Sequence, residues 1–442
     1  MMAEERPITE QDVFIKARLM SEGVRIKDVQ MPSMEELTRA TAALPERLDY
    51  DDVEGIWRTY AQTASLWERT SRQAAGLKFH FDGCGIKVMV MPNEYSRLQL
   101  TRQGDRVTVT DGDEILVTGY VPASLSWAEG SLSNGLPMRT FLPVVSAEIV
   151  TVAFSLSCAN YVSGKDACRY CNLFANPLSK RMLKLPDHVL RSWASYQAEA
   201  LKVAVDAGWR GMISLSAGAL PPADRHLYLE RMEIVLSEVR AALGDEAYQQ
   251  QKIFFNYYPP EDFAEMHRWK ALGVTGTSID LEVMDPKYFA AICPGKNSYK
   301  PHAYWMEAQE ASVEVFGPYL NTTGCLVVGI EPMEALVEGV EERISKGVMP
   351  FPLTYYSAPG SAYWGFRPPN ADWFVEASRR IADSFVKSPG FLQCLAQSAG
   401  GSLVGDGAAL SKHSNAMTLV FDEVLRRFQQ MFAPAAPLSD VA

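Results

Sequence analysis

No stretch of the 442-residue chain approaches about 18 uninterrupted apolar residues. The opening run, Met1-Met-Ala-Glu-Glu-Arg-Pro-Ile-Thr-Glu10, is acidic and lacks the apolar centre of a signal peptide. A membrane span and a secretory leader are therefore not expected, and the protein reads as soluble and cytoplasmic. Positive charge is also short: 42 Lys and Arg stand against 53 Asp and Glu, a net charge of -11, with no basic run and no basic stripe interleaved with aromatics. Nucleic acid is thereby an unfavoured partner. Cysteine is scarce and odd in number, seven in all and thinly spread outside one cluster. That usage argues against a disulfide framework and for a reducing compartment.

The exception is the segment Ser155–Asn172, where Cys158, Cys168 and Cys171 fall within fourteen residues, directly after the apolar run Ile149-Val-Thr-Val-Ala-Phe154. A strand that empties into a cysteine-rich loop can hold a metal group at the rim of a sheet. Three thiolates on a 4Fe-4S cluster leave one iron open to a substrate or cofactor. A structural zinc knuckle shares the Cys-x2-Cys half, but it wants a fourth ligand. The nearest outside the loop, Cys84 and His188, are not in ligand-pair spacing.

The length suits one large α/β domain with additions, or two or three smaller ones. Residues 1–76 carry apolar residues three and four apart, the period of two or three helices. Residues 77–148 switch to short β-prone runs broken by turns such as Asp111-Gly-Asp113, predicting a small antiparallel unit. From 149 to 387 strand-like and helix-like segments alternate, the pattern of βα units on a parallel sheet. Strands are predicted at 149–157, 211–217, 252–258, 275–283, 319–329 and 348–357. Helices are predicted at 186–207, 222–243, 261–272, 301–316, 332–346 and 371–387. Several of these helices are followed by glycine, as at Gly208, Gly244 and Gly317. Six units predict an α/β fold with a partial (β/α)6 barrel. Residues 388–442 hold a glycine-rich stretch, Ser398–Ala408, read as a flexible connection or a lid, and a helix near 416–431.

With Tyr170 between the second and third thiols, the local pattern Cys-x-aromatic-Cys resembles the radical S-adenosylmethionine (radical SAM) superfamily. The usual Cys-x3-Cys-x2-Cys spacing is expanded here to Cys-x9-Cys-x2-Cys, and Tyr161-Val-Ser-Gly-Lys165 supplies an excursion that lets both ends keep their place. The resemblance extends over 149–387 and implies that Cys158, Cys168 and Cys171 bind a 4Fe-4S cluster, whose fourth iron is chelated by S-adenosyl-L-methionine. It implies that Tyr170 packs near the adenine and that Ser216 and Gly218, ending the second strand, meet the methionine amino group. Asp280 and Glu282 on the fourth strand would bind the ribose or amino group, and Val327 and Gly329 on the fifth would flank the adenine. By strand alternation Ser278, Asp280 and Glu282 should share one face; the alternative leaves one of the acids solvated at a strand end. Gly-Ile-Glu-Pro332 and the segments after it resemble the biotin-synthase-like branch, which acts on small molecules. The implied chemistry is reductive cleavage of S-adenosylmethionine to a 5'-deoxyadenosyl radical, which removes hydrogen from a small organic substrate.

Substrate contacts are expected from Asn256, Tyr257 and Tyr258 on the third strand, and from Tyr355, Tyr356 and Ser357 on the sixth with Arg367 beyond it. Only one of each tyrosine pair can face inward. Cys84, Cys293, Cys325 and Cys394 are isolated in the sequence and read as core residues. Cys325 and Cys394 are the better placed to donate a hydrogen atom. Lys165, Arg169, Lys180, Arg181 and Lys184 surround the cysteine loop and suit either solvation or docking of an acidic flavodoxin- or ferredoxin-type electron donor. Residues 1–148 carry no motif of their own, so barrel completion, partner binding and homodimer formation stay open for them. Two further readings remain: a non-catalytic iron-sulfur or zinc protein, and an enzyme that transfers the aminocarboxypropyl group of S-adenosylmethionine.

Overall fold

The computed structural model describes residues 6–26, 47–74, 77–173, 178–358, 360–398 and 415–431. The fold is mixed α/β with two curled sheets. The smaller sheet contains β1 (Arg25–Ile26), β2 (Leu77–Phe81), β3 (Lys87–Val90), β4 (Leu98–Gln103), β5 (Arg106–Asp111) and β6 (Glu114–Tyr120). Its order is β1-β4-β5-β6-β2-β3, antiparallel except where β1 runs beside β4. The hairpins close at Gly104 and Gly112, both at positive φ, a conformation that glycine adopts without a Cβ clash.

The larger sheet contains β7 (Val144–Ser146), β8 (Ile149–Ala153), β9 (Met212–Ser216), β10 (Lys252–Asn256), β11 (Gly276–Ser278), β12 (Tyr319–Val328) and β13 (Val348–Thr354). The strands lie in sequence order, with β8 to β13 parallel and β7 an antiparallel edge. Helices Asp187–Asp206, Tyr228–Leu243, Glu265–Ala271, His302–Phe316 and Met333–Ser345 connect them, and Ala371–Val386 follows. Four of these six helices fall within a residue or so of the predicted spans. The segment 222–243 begins instead as a 3-10 turn, and 261–272 is helical only from Glu265.

Alternation along the parallel strands decides what each face carries. Val152, Leu215 and Phe255 form one buried row, and Phe255 meets Trp269 of a covering helix at 4.7 Å between rings. Burying each such side chain contributes roughly 1.5–3 kcal/mol. The next row, in register across the sheet, is Ala153, Ser216, Asn256, Ser278 and Thr323. Small and polar residues thus line the other face at the carboxyl ends of the strands.

The predicted fourth strand is much shorter than expected. β11 stops at Ser278, and Glu282 has φ 74, which breaks the alternation assumed for 275–283. Two short helices, Pro286–Ile292 and Pro294–Tyr299, follow where no element is predicted. The first and last described helices meet: Glu10–Glu22 packs on Ala371–Val386 and on Val420–Met431. Segment 415–418 bridges the two sheets, since Ala416 accepts from Met89 of β3 and Met417 from Thr354 of β13. Residues 399–408, expected as a lid or connection, lie outside the described residues. No helix is long and apolar enough to cross a membrane among the described residues.

Candidate active site

β8 delivers Cys158 to the carboxyl edge of the sheet, where it caps the short helix Ala159–Ser163. The nine-residue gap then closes on itself. Gly164 turns the chain at φ 73, Ala167 donates to the Gly164 carbonyl at 3.3 Å, and the Ser163 hydroxyl donates to Asp166 at 2.8 Å. Cys168 and Cys171 form a tight turn, with the Cys171 amide on the Cys168 carbonyl at 3.1 Å. The expanded spacing is therefore absorbed by a compact helical excursion.

The three thiols are near enough to feel one another's charge. Burial pushes the Cys158 thiol up, against the backbone amides of Tyr161, Ala219 and Asn160 that point at its sulfur. Burial and the neighbouring Cys168 raise Cys171. Cys168 alone moves down, because Cys293 hydrogen-bonds to it and, against burial, the Lys296 ammonium lies nearby.

Cys293, expected as an isolated core cysteine, is fully buried in the core but is not isolated, since Cys168 packs against that core beside it. The contact is built by backbone, since Arg169 donates to the Ile292 carbonyl at 2.9 Å and Gly295 to the Asp166 carbonyl at 3.0 Å. Nothing local in the sequence signals this pairing. Only the Pro294-Gly295 turn hints that the chain makes a close approach there.

Beside these thiols lies a buried polar cluster. Lys296 Nζ donates to Glu282 Oε1 at 2.8 Å and to the Asp280 carbonyl at 2.6 Å, and it sits 5.0 Å from the Trp305 ring. Burial opposes the Lys296 charge, yet Glu282, Cys168, Cys293 and Asp280 together hold its ammonium well above the ordinary lysine value. Burial raises Glu282, partly offset by Lys296 and by the Tyr170 hydroxyl. Asp280 accepts from Asn256 at 2.8 Å, from Ser278 at 2.6 Å and from the Cys325 amide at 2.9 Å. Asp280 and Glu282 thus converge without strand alternation. The left-handed backbone at Glu282 turns that side chain, at a strain of about 1–3 kcal/mol.

The remaining expected residues are placed as follows. The Tyr170 hydroxyl lies beside Glu282 and Cys168 and holds both of them toward their charged forms. Ser216 lies on the polar row, and Gly218 is buried next to Ala219, whose carbonyl accepts from Ala159 at 2.7 Å. Val327 donates its amide to the Glu282 carbonyl at 2.9 Å. At Gly329, φ is 107 and a Cβ would press on Phe374 at 3.0 Å, so packing against the last covering helix already accounts for this glycine.

Tyr258 accepts from Asn160 at 2.5 Å, and Tyr356 lies within range of the Cys171 charge. Their neighbours Tyr257 and Tyr355 are buried elsewhere, the first among Phe154 and Tyr228, the second donating to the Tyr363 carbonyl at 3.1 Å. Cys325 is close to Asp280 and Glu282. Cys394 is not brought to this cluster. Its helix, Pro389–Ser398, abuts Tyr319 at the first residue of β12, the opposite edge of the sheet. Arg367 is exposed, as are Lys165, Lys180 and Lys184.

Sequence reasoning also missed an aromatic loop at the rim. Tyr161 donates to the Gly360 carbonyl at 2.6 Å and the Tyr363 amide to the Arg169 carbonyl at 2.8 Å, tying 360–366 to the cysteine loop. On this loop Trp364 and Phe366 are 62% and 61% exposed, and Leu173, two residues past Cys171, is 78% exposed. Clefts of about 440 Å³, beside Glu10 and Arg379, and about 510 Å³, beside Tyr319 and Gly390, lie away from the thiols.

Among the described residues no three His, Cys, Asp or Glu side chains converge as one metal ion requires. Thiolates on a four-iron cluster each bind a different iron, so they stand farther apart than the ligands of one ion. Three soft sulfur donors, Cys158 beyond the end of β8 and Cys168 and Cys171 in the loop after it, are a donor set that fits such a cluster. The Ser157 hydroxyl, buried beside Cys158 without a hydrogen-bond partner, is the kind of orphan left at a ligand site.

No family model matches the chain. It is 37% identical over 389 residues, 87% of each chain, to the bacteriochlorophyllide c C-7(1)-hydroxylase of Chlorobaculum limnaeum. The chain belongs to the radical SAM superfamily. It is an enzyme, and radical SAM proteins typically use a 4Fe-4S cluster with S-adenosylmethionine.

Proposed function

We propose that this protein is a radical SAM hydroxylase acting on a substituent carbon of a bacteriochlorophyllide-type tetrapyrrole. The observation that carries the reading is the identity along 87% of both chains to a hydroxylase of bacteriochlorophyllide c. A 4Fe-4S cluster with S-adenosylmethionine supplies a 5'-deoxyadenosyl radical that can remove hydrogen from an unactivated carbon. Cys158, Cys168 and Cys171 would hold the cluster.

The protein's share is to bind, orient and exclude water. Six parallel strands in sequence order make a partial (β/α)6 barrel whose mouth lies at the cysteine loop. Ser216, Asp280 and Glu282 present hydrogen-bonding groups for the amino acid and ribose of the cofactor, with Tyr170 and Val327 beside its base. Trp364 and Phe366 offer apolar faces at the rim, suited to a flat, largely apolar macrocycle. Lys165, Lys180 and Lys184 give an acidic flavodoxin- or ferredoxin-type donor a landing site on an otherwise acidic protein.

The test is anaerobic reconstitution with iron and sulfide, reduction with dithionite, and addition of S-adenosylmethionine with bacteriochlorophyllide c in heavy-oxygen water. Expected products are 5'-deoxyadenosine and a macrocycle carrying one labelled oxygen, both lost in Cys168→Ala and Cys171→Ala. Cleavage of the cofactor with every offered tetrapyrrole unchanged would keep the superfamily chemistry and refute the substrate. Methylthioadenosine in place of 5'-deoxyadenosine would instead indicate aminocarboxypropyl transfer.

A further inference from the structure

We infer that Arg169 and Arg367 form a carboxylate clamp at the mouth of the site, which holds the free propionic acid of the tetrapyrrole and discriminates against its esters. The inference rests on the substrate reading above. A bacteriochlorophyllide, unlike the esterified pigment, carries that acid free, on the edge of the macrocycle away from C-7.

The backbone brings the two arginines to one junction. Arg169 lies between Cys168 and Tyr170, with its amide on the Ile292 carbonyl at 2.9 Å and its own carbonyl accepting from the Tyr363 amide at 2.8 Å. Tyr363 opens a tight turn that closes when the Phe366 amide donates to the Tyr363 carbonyl at 3.0 Å. Arg367 therefore leaves that turn one residue beyond its closure on the point of contact with Arg169. The turn is braced from the end of β13, where the Gly365 amide donates to the Ser357 hydroxyl at 2.7 Å and the Tyr355 hydroxyl to the Tyr363 carbonyl at 3.1 Å.

Both guanidinium groups are open to a ligand. Arg169 is half-buried and Arg367 exposed, and neither guanidinium has a hydrogen-bond or ion-pair partner among the described residues. The half-buried Arg18 and Arg427, by contrast, are each engaged by two carboxylates. In a chain with 53 acidic against 42 basic residues, two unclaimed arginines at one junction call for an anion from outside. A guanidinium presents paired N–H groups that match a carboxylate in its plane. An ester keeps the outline of the acid but loses its charge and one acceptor oxygen. Trp364 and Phe366, exposed on the same turn, would take the face of the macrocycle while the arginines hold its acid.

The test is an anaerobic absorbance titration of the reconstituted enzyme, with S-adenosylmethionine present, against bacteriochlorophyllide c and its methyl ester, in wild type, Arg169→Gln, Arg367→Gln and Arg367→Lys. Wild type should bind the acid about ten- to hundredfold tighter than the ester. Each glutamine variant should lose most of that ratio through weaker binding of the acid, with its affinity for the ester as in wild type, and Arg367→Lys should keep part of it. The ester is the internal control for folding, since a damaged site weakens both pigments. Equal binding of acid and ester by wild type overturns the inference and leaves the substrate reading standing. A ratio that neither glutamine variant changes, or a loss of affinity for acid and ester alike, overturns it too. Weaker S-adenosylmethionine binding in Arg169→Gln with the ratio intact would give that residue to the cofactor and overturn its part in the clamp. Failure of wild type to bind either pigment refutes the substrate reading, and the clamp with it.

Discussion

At the residue scale, Glu331 shows how burial sets a charge. Its carboxylate accepts from the amides of Met284 at 2.9 Å and Asp285 at 2.8 Å, tying the turn after β12 to the turn after β11. Burial outweighs those bonds and raises its pKa to about 7. The folded state thus holds the proton more tightly than the unfolded chain. The stabilisation is full below the unfolded value of 4.5 and is lost as pH rises through about 7. Denaturant titrations should show wild type losing on the order of 3 kcal/mol relative to Glu331→Gln across that window. A pH-independent difference between the two would refute it. Trp364 poses the opposite case, an exposed aromatic whose loss changes little in the fold. Trp364→Ala should leave stability within about 0.5 kcal/mol while weakening tetrapyrrole binding about tenfold. Absorbance titration with bacteriochlorophyllide c reads the second effect, and unchanged affinity would remove the rim from the substrate site. The residues carrying these predictions were only partly legible. Cys158, Cys168 and Cys171 declare themselves by spacing, whereas Cys293 and Lys296 reach them through a contact that no local pattern encodes.

At the scale of elements, the docking of the cysteine loop on the turn after Pro286–Ile292 is the step that completes the site. Gly295→Ala introduces a methyl where Asn160 and Asp166 leave no room. Overpacking of that kind costs typically about 1–3 kcal/mol, and here it would be relieved by lifting the cysteine loop. The variant should fold but hold less iron after reconstitution and cleave faster in limited proteolysis between 158 and 173. Full iron content would show that the loop is held by its other bonds, including Tyr161 to Gly360. The strands around it teach a related lesson. Alternation in 149–153, 212–216 and 252–256 reads directly from sequence because each side chain faces a helix or the polar row. The run 275–283 also alternates, yet only Gly276–Ser278 forms a continuous strand; at the left-handed Glu282 the backbone bridges to Leu326 of β12 while the side chain turns to the ion pair with Lys296.

At the scale of the whole molecule, a buried ion pair clasps the first described helix to the last. Lys16 Nζ donates to Asp422 at 2.5 Å and to the carbonyls of Asn415 and Thr418 at 2.6 and 2.7 Å, with both charged side chains fully buried. Removing one partner strands a charge in the interior. Asp422→Asn should therefore destabilise the protein by about 3–5 kcal/mol, and the double change Lys16→Met with Asp422→Leu should recover much of it. Thermal unfolding of the single and double variants checks both. Equal losses in the two would mean that the lysine's carbonyl bonds, not the charge pair, hold the ends together.

The sequence by itself determined the order of strands and helices, the polar face of the parallel sheet and the three-thiol loop. All of these follow from periods and spacings that neighbouring residues impose on one another. Only the tertiary structure decided which fourth cysteine stands beside Cys168, how Asp280 and Glu282 converge on Lys296, which aromatics stand beside the cysteine loop, and that Lys16 finds Asp422. Those partners lie far apart along the chain. What brings them together is the packing of helices and sheets, and the need of each buried charge and polar group for a partner, which no local window of residues contains.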